Sequence, residues 1–214
     1  MKTTIKFFSL LFMLVAFVGC SDDEDDTPDL DAVESSTASN IEAPQTGGAG
    51  TDEPEGGPFT KFSFETGAVT DSDTEWDIAF RGTTIAVNGG TVTGTDDEPE
   101  RNGNAAVAIE TGTFANITNA DGLTFAQDAD GSFAIPTGSD DGWYNYNSAT
   151  FIASPIPGIV LVVRTHDGKY AKIEILSYYP DAPAEPNAFT DESRVYTFNY
   201  VYNPNEGETT LTTE

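Results

Sequence analysis

Apolar and polar residues alternate with a period of two along most of the chain after residue 58, a pattern typical of β-strands. In segment 59–66 this alternation places Phe62 and Phe64 on one face, which we predict to be buried. Residues 159–164 form a nearly continuous apolar run, which predicts a central strand buried on both faces. Further strands are predicted over 76–81, 84–87, 105–110, 123–126, 132–135, 169–178 and 195–202.

Four Asp-Gly pairs separate these segments, beginning at Asp121, Asp130, Asp141 and Asp167. Asp-Gly tolerates the positive φ angles that tight hairpins require. No stretch shows an apolar period of 3.6 residues, which would indicate a helix. The sequence therefore predicts an all-β, antiparallel fold with two sheets, either a sandwich or an irregular two-sheet arrangement.

Residues 20–58 have a different composition from the rest of the chain. They are rich in Asp, Glu, Thr, Ser, Gly and Pro, and 21–58 contains no Lys or Arg. Such a segment buries too little apolar surface to offset the entropy of ordering it. We expect 20–58 to be a disordered acidic tether and 59–214 to be a single β domain.

The first 19 residues are typical of a signal peptide. Lys2 and Lys6 precede an apolar run over 7–18, which is too short to span a bilayer, and Gly19 precedes Cys20, the chain's single cysteine. This pattern predicts a bacterial lipoprotein with its lipid on Cys20. The protein would then reach a membrane through the lipid alone, most simply at the outer membrane with the domain exposed at the cell surface. An ordinary secretory signal followed by a chance cysteine is the alternative.

The net charge of −27 limits the classes of partner. An acidic surface repels phosphate backbones, so nucleic acid is not expected as a partner. The acidity also suits a protein kept soluble in a salty environment, without any role in recognition. An enzyme is not expected either: there is no Gly-x-Ser-x-Gly elbow, no Gly-rich phosphate loop and no thiol besides Cys20.

Three further blocks of the domain are informative: 76–81 (WDIAFR) followed by 88–90 (NGG), 162–173 (VVRTHDGKYAKI) and 196–202 (YTFNYVY). These blocks, in this order, resemble the HmuY-type haem-binding lipoproteins of Bacteroidetes. The acidic run after Ser21 is similar to the surface-export signal of lipoproteins from the same phylum. The resemblance implies an all-β domain that captures haem or a related porphyrin and passes it to an outer-membrane transporter.

The residues that hold the iron in this family do not carry over to this chain. The resemblance implies two ligands, His or Met, on loops that correspond to about 121–154, a region with neither residue here, and one ligand position falls near Ser148. Met1 and Met13 lie in the predicted signal peptide, and His166 is the only histidine.

Two kinds of side chain remain as candidates for the haem site. His166 could supply a neutral imidazole to the iron, or it could simply be a solvent-exposed residue at a hairpin tip. Tyrosine can ligate ferric haem as phenolate, or it can pack in the core or at an interface. The candidate binding residues are Trp143, Tyr144, Tyr146 and His166, with Tyr178 and Tyr179 as further tyrosines and His166 as the candidate metal ligand.

A module that binds something other than haem is the second hypothesis. Exposed aromatic residues such as Trp143, Tyr144, Tyr146 and Tyr179 would suit stacking on a glycan or contact with a partner protein. Segments 128–132 (DADGS) and 71–73 (DSD) have part of the spacing of a calcium loop, but turns are the simpler interpretation of both.

Overall fold

The computed structural model describes residues 29–48 and 51–213. Apart from one 3-10 turn at Phe114–Asn116, every regular element in these ranges is a β-strand. The strands are β1 (Glu34–Glu42), β2 (Thr60–Ser63), β3 (Ala68–Val69), β4 (Ile78–Arg81), β5 (Thr84–Val87), β6 (Ala106–Thr111), β7 (Tyr144–Asn147), β8 (Ile152–Pro155), β9 (Ile159–Arg164), β10 (Tyr170–Ser177) and β11 (Val195–Asn203).

All the strand pairs are antiparallel, so the predicted fold class is confirmed. A five-stranded sheet has the order β1-β11-β10-β9-β6, and a four-stranded sheet has the order β3-β2-β4-β5. Strands β7 and β8 form a separate hairpin. The two strands predicted over 123–126 and 132–135 are not present. These segments contribute only the isolated bridges Val107↔Ala126 and Ala129↔Ser132.

Aromatic rings fill the space between the two sheets. The ring of Phe198 on β11 lies 5.2 Å from that of Phe62 on β2 and 5.7 Å from that of Phe80 on β4, measured between centroids. The Tyr196 ring lies 4.6 Å from that of Phe80. Phe62 and Phe64 are both fully buried, as their place in the alternation predicts. Aromatic pairs of this kind add about 0.5–1.5 kcal/mol each beyond the burial of their area.

Strand β9 is buried on both faces, which confirms the interpretation of its apolar run. Leu161 and Val163 belong to the core between the sheets, whereas Val160 and Val162 belong to a second apolar cluster on the outer face of the five-stranded sheet. Loop residues from 114–125 and Leu211 complete that cluster.

The predicted tether of 20–58 is wrong for the part of it that forms β1. Strand β1 pairs with β11 from Glu34↔Tyr202 to Glu42↔Val195. Its side chains are mostly exposed, and Ala38 is its one buried residue. The strand is therefore held largely through its backbone, which explains why a composition poor in large apolar residues did not reveal it. The predicted signal peptide and Cys20 lie outside the described residues.

No helix in the described ranges is long and apolar enough to cross a membrane.

Candidate functional site

A cleft opens at one end of the sandwich, where several strand ends and turns converge. It has a volume of about 580 Å³, within the usual range of ligand sites of roughly 300–1,000 Å³. The β4–β5 turn, the segment after β10, the segment before β11 and the β7–β8 hairpin all contribute to its walls. We call it the tyrosine cleft after four of its lining residues, Tyr144, Tyr146, Tyr178 and Tyr179.

The tyrosines of the cleft differ in the hydrogen bonds of their hydroxyl groups and in the exposure of their rings. The hydroxyl of Tyr144 donates a hydrogen bond to the carbonyl oxygen of Thr137 at 2.9 Å. The hydroxyl of Tyr179 accepts one from the backbone N–H of Ala153 at 3.1 Å. Tyr146 is 44% exposed, so its ring is available at the mouth of the cleft.

Trp143 lies beneath the cleft and does not line it. Its ring centroid is 5.0 Å from that of Tyr144 and 5.7 Å from that of Tyr178, and its indole N–H donates to the carbonyl oxygen of Thr83 at 2.9 Å. The residue is only 2% exposed, so the expectation that Trp143 is exposed for stacking is wrong. Tyr144 and Tyr179 are also mostly buried. Trp143 therefore packs behind tyrosine side chains that line the cleft.

Burial controls the protonation of two of the tyrosines. It raises the pKa of Tyr178, and the positive charge of Arg194 opposes this only in part. Burial also raises the pKa of Tyr179, opposed by the hydrogen bond from the Ala153 backbone. Both side chains are therefore neutral phenols at physiological pH.

The charged residues that line the cleft are mainly positive, although the chain as a whole is strongly negative. Arg81 and Arg194 line it, and Glu55 is the one acidic residue among the described residues that do. Arg81 is fully buried and Arg194 is exposed at the rim. Two positive charges against one negative charge make this an attractive place for an anion in a chain with a net charge of −27.

His166 is at the opposite end of the sandwich from the tyrosine cleft. It lies in the turn between β9 and β10, whereas Tyr178 and Tyr179 follow the other end of β10. The eight residues of β10 hold these ends about 24 Å apart at the usual rise of a strand. The structure thus brings Tyr144 and Tyr146 together with Trp143 beneath them, and it does not bring His166 to them.

The His166 ring is not free at a hairpin tip, as the simpler interpretation expected. Its Nδ1 is 2.8 Å from Oδ1 of Asp77, and its backbone N–H donates to the same oxygen at 2.9 Å. Asp77 is buried, and its Oδ2 accepts a hydrogen bond from the Phe64 N–H at 2.7 Å. The pair links the β9–β10 turn to the four-stranded sheet.

The two segments with part of the spacing of a calcium loop, 128–132 and 71–73, make hydrogen bonds that stabilise the surrounding loops. Asp128 accepts hydrogen bonds from the backbone N–H groups of Val87 and Ala134 and from Arg101. In segment 71–73, the hydroxyl of Ser72 accepts from the N–H of Glu75. Within the described ranges no group of three or more His, Cys, Asp or Glu side chains is placed to hold a metal ion.

A second cavity, of about 610 Å³, lies beside residues 30–33. Leu30, Asp31, Asn203 and Thr210 are among its lining residues. No aromatic residue and no basic residue in the described part of the chain lines it. It therefore offers a ligand neither stacking nor a positive charge, and the tyrosine cleft is the stronger candidate.

The family model of the HmuY proteins matches residues 58–200. The chain belongs to the HmuY family. The blocks that resembled the family lie inside this match, except for the last two residues of 196–202. No curated protein matches the chain.

Three solved structures are similar to this HmuY-family chain at low identity. The apo HmuY analogue of Tannerella forsythia is 15% identical, with a TM-score of 0.47, over 83% of this chain and 100% of that one. A candidate HmuY-like haem-binding protein of Bacteroides vulgatus is 16% identical, with a TM-score of 0.46, over 81% and 93%. A candidate lipoprotein of Bacteroides fragilis is 15% identical, with a TM-score of 0.46, over 81% and 91%.

The NGG block at 88–90 has a clear structural role in this HmuY-family chain. The side-chain amide of Asn88 donates to the carbonyl oxygens of Thr74 and Trp76, and its oxygen accepts from the N–H groups of Asn102 and Gly103. A Cβ added at Gly89 would lie 1.9 Å from the carbonyl oxygen of Ala105. The block is therefore a site of close backbone packing, and it lies away from the tyrosine cleft.

The sequence did not single out the two arginines of the cleft. Arg81 ends an otherwise apolar strand, and Arg194 follows an exposed loop. The signal that could have revealed Arg81 was its position. An arginine that closes a fully buried strand in a chain with few basic residues needs a partner or a function.

Proposed function

We propose that this HmuY-family chain binds haem or a related porphyrin in the tyrosine cleft and that it does so for uptake, without catalysis. The observation that carries the proposal is the combination, in one cleft, of aromatic rings with two arginines. A porphyrin has a flat apolar ring and two carboxylates. Aromatic side chains suit the ring, and guanidinium groups suit the carboxylates.

The residues of the cleft fit the ring and its carboxylates better than they fit the iron. Among the described residues that line the cleft there is no His and no Met. The phenol oxygens are the available ligands, and burial keeps Tyr178 and Tyr179 protonated in the free protein. Haem, when bound, supplies the iron that uptake requires. The chain supplies burial, stacking and charge, so binding of an iron-free porphyrin is expected as well.

The proposal for the place of action rests on the sequence of the N-terminal residues. We propose that Cys20 carries a lipid, that the protein is anchored in the outer membrane, and that the domain faces the outside of the cell. An outer-membrane transporter is the proposed recipient of the ligand. Labelling with a radioactive fatty acid tests the anchor: the wild-type chain should incorporate the label, and Cys20→Ser should not.

A glycan or a partner protein is the second candidate ligand, and one observation favours it. Phe151 and Phe189 are exposed near the mouth of the cleft, with ring centroids 6.1 Å apart, and Tyr146 is exposed on the same hairpin as Phe151. Exposed aromatic residues of this kind stack on sugar rings or anchor an interface.

A haem titration followed in the Soret band tests the first proposal. The protein should begin at Ser21 and not at residue 59, because β1 belongs to the sheet. Tyr146→Ala and Arg194→Gln change exposed positions of the cleft, so they are expected to fold normally. His166→Ala is the matched control at the other end of the sandwich.

Saturable binding near one haem per chain, weakened by the two cleft variants and unchanged in His166→Ala, supports the proposal. Loss of binding in His166→Ala alone would move the site to the β9–β10 turn and overturn the assignment to the cleft. No saturable shift at micromolar haem would sink the haem proposal, and a glycan array probed with the same protein would then test the second candidate.

A further inference from the structure

Arg81 is a buried guanidinium whose Nε makes no hydrogen bond to any described residue. Its Nη1 donates to the carbonyl oxygens of Gly57 and Asp96, and its Nη2 donates to the hydroxyl of Thr95 at 2.8 Å. Its Nε–H is buried and has no hydrogen-bond partner among the residues that the structure describes. A buried donor without a partner costs roughly 1–3 kcal/mol, so this edge of the guanidinium calls for an explanation.

The guanidinium is also held in place before any ligand arrives. It lies over the ring of Phe59, with Cζ 4.3 Å from the ring centroid, and its Nη contacts fix two loop segments against it. A cation that is already oriented loses little entropy when it pairs with an anion. The Nε edge is therefore suited to receive a carboxylate.

Glu55 occupies the space in front of that edge without forming a good bond to it. Its Oε1 is 3.5 Å from Nε of Arg81, and the Nε–H makes no hydrogen bond to it. The Glu55 side chain is 39% exposed. The backbone beside it is anchored, since the N–H and C=O of Gly56 both bond to Thr46. The carboxylate can therefore leave by side-chain rotation alone, with no movement of the chain.

The same groups line the tyrosine cleft, and no other acidic residue in the described part of the chain does. Arg194 lies on the rim, where its Nη1 donates to the carbonyl oxygen of Gln45 at 2.9 Å. A ligand seated against the tyrosines would meet Arg81, with Glu55 as its one negatively charged neighbour among the lining residues.

We propose that the tyrosine cleft takes a carboxylate-bearing aromatic ligand and that the ligand carboxylate exchanges with Glu55 at the Nε edge of Arg81. Glu55 is then an internal competitor that occupies the anion position in the free protein. The inference rests on the proposed function for the location of the cleft, but it holds for any aromatic carboxylate and does not require a porphyrin.

The exchange can be tested by NMR with benzoate as the probe and benzamide as its neutral counterpart. The Nε–Hε resonance of Arg81 is followed in the ¹⁵N-labelled chain that begins at Ser21. Benzoate should shift this resonance saturably, and benzamide should not. Glu55→Gln removes the competing charge, and we expect it to tighten benzoate binding about three- to fivefold. Glu53→Gln removes an exposed charge that does not line the cleft, and it should leave the binding curve unchanged.

The proposal is wrong if benzoate leaves the Arg81 resonance unmoved, or if it binds Glu55→Gln and the wild-type chain equally well. The haem titration of the same variants separates the two proposals. Haem binding without a response of Arg81 to benzoate would reject the exchange and leave the haem proposal standing. A response of Arg81 to benzoate without haem binding would reject the haem proposal and leave the exchange standing.

Discussion

Nδ1 of His166 lies 2.8 Å from Oδ1 of the buried Asp77, so the chain's single histidine is paired with a carboxylate. The hydrogen bond to Asp77 raises the pKa of His166, burial opposes the rise, and the charges of Asp77, Asp167 and Glu65 add to it. A histidine whose pKa is raised by folding stabilises the protein fully below its unfolded pKa of about 6.5. That stabilisation is lost as the pH rises through the folded pKa.

We therefore expect the difference in unfolding free energy between the wild-type chain and His166→Gln to shrink as the pH rises above about 6.5. Urea unfolding of both proteins at intervals from about pH 5.5 to 9 measures this difference. Using the difference cancels the other titrating groups, which the two proteins share. A difference in unfolding free energy that stays constant over the whole interval would show that protonation of His166 does not stabilise the folded protein.

Arg101 and Asp128 form a second buried ion pair, with Nη2 2.9 Å from Oδ2. Glu98 also pairs with Arg101, at 2.8 Å. Removing the cation leaves two buried carboxylates uncompensated, and we expect Arg101→Met to lower the unfolding free energy by about 3–5 kcal/mol. Lys61→Met is the control: its partner Asp73 is almost fully exposed, so the loss should not exceed about 1 kcal/mol. If urea unfolding shows the same loss of unfolding free energy in both variants, the expected difference between a buried and an exposed ion pair is wrong.

Gly89 lies against the backbone of a neighbouring segment. An added Cβ would meet the carbonyl oxygen of Ala105 at 1.9 Å, and a backbone atom cannot rotate away. We expect Gly89→Ala to cost about 3 kcal/mol in unfolding free energy. Gly122→Ala is the matched control, since a Cβ there meets nothing within 4 Å and the φ of +71° alone sets a cost of about 1 kcal/mol. Thermal unfolding of both variants ranks them, and a reversed order would refute the argument.

Removing β1 tests whether it is part of the folded domain. A chain that begins at Phe59 loses the backbone bonds between β1 and β11 and leaves β11 as an open edge. We expect a loss of about 3 kcal/mol or more, which corresponds to a fall in Tm of about 6–12 °C in a protein of this size. An open edge strand also favours association between chains. Calorimetry and light scattering at increasing concentration measure both effects, and an unchanged Tm in a monodisperse protein would count against them.

The sequence revealed the strands that bury side chains and missed those that do not. Strands β9 and β11 were predicted almost to their ends, because apolar runs and alternation mark strands with a buried face. Strand β1 was missed because it is held mainly by backbone hydrogen bonds to β11. Such bonds do not require apolar side chains, so the composition of the segment does not reveal them. In the site, Tyr144, Tyr146, Tyr178 and Tyr179 were candidates and all four line the cleft. The arginines were missed because their approach to the tyrosines depends on the three-dimensional fold.

If Cys20 carries a lipid, as proposed, strand β1 limits how far the domain can travel from the membrane. With a lipid at Cys20, as proposed, only the residues before Glu34 separate the anchor from the sheet. Their covalent length cannot exceed about 50 Å, whereas a chain free as far as residue 59 would reach about 140 Å. Such an anchor would confine the domain to a thin shell above the bilayer. In that shell the proposed outer-membrane receptor would meet the domain at a high local concentration, and ligand transfer would be a short-range encounter between neighbours on the same surface.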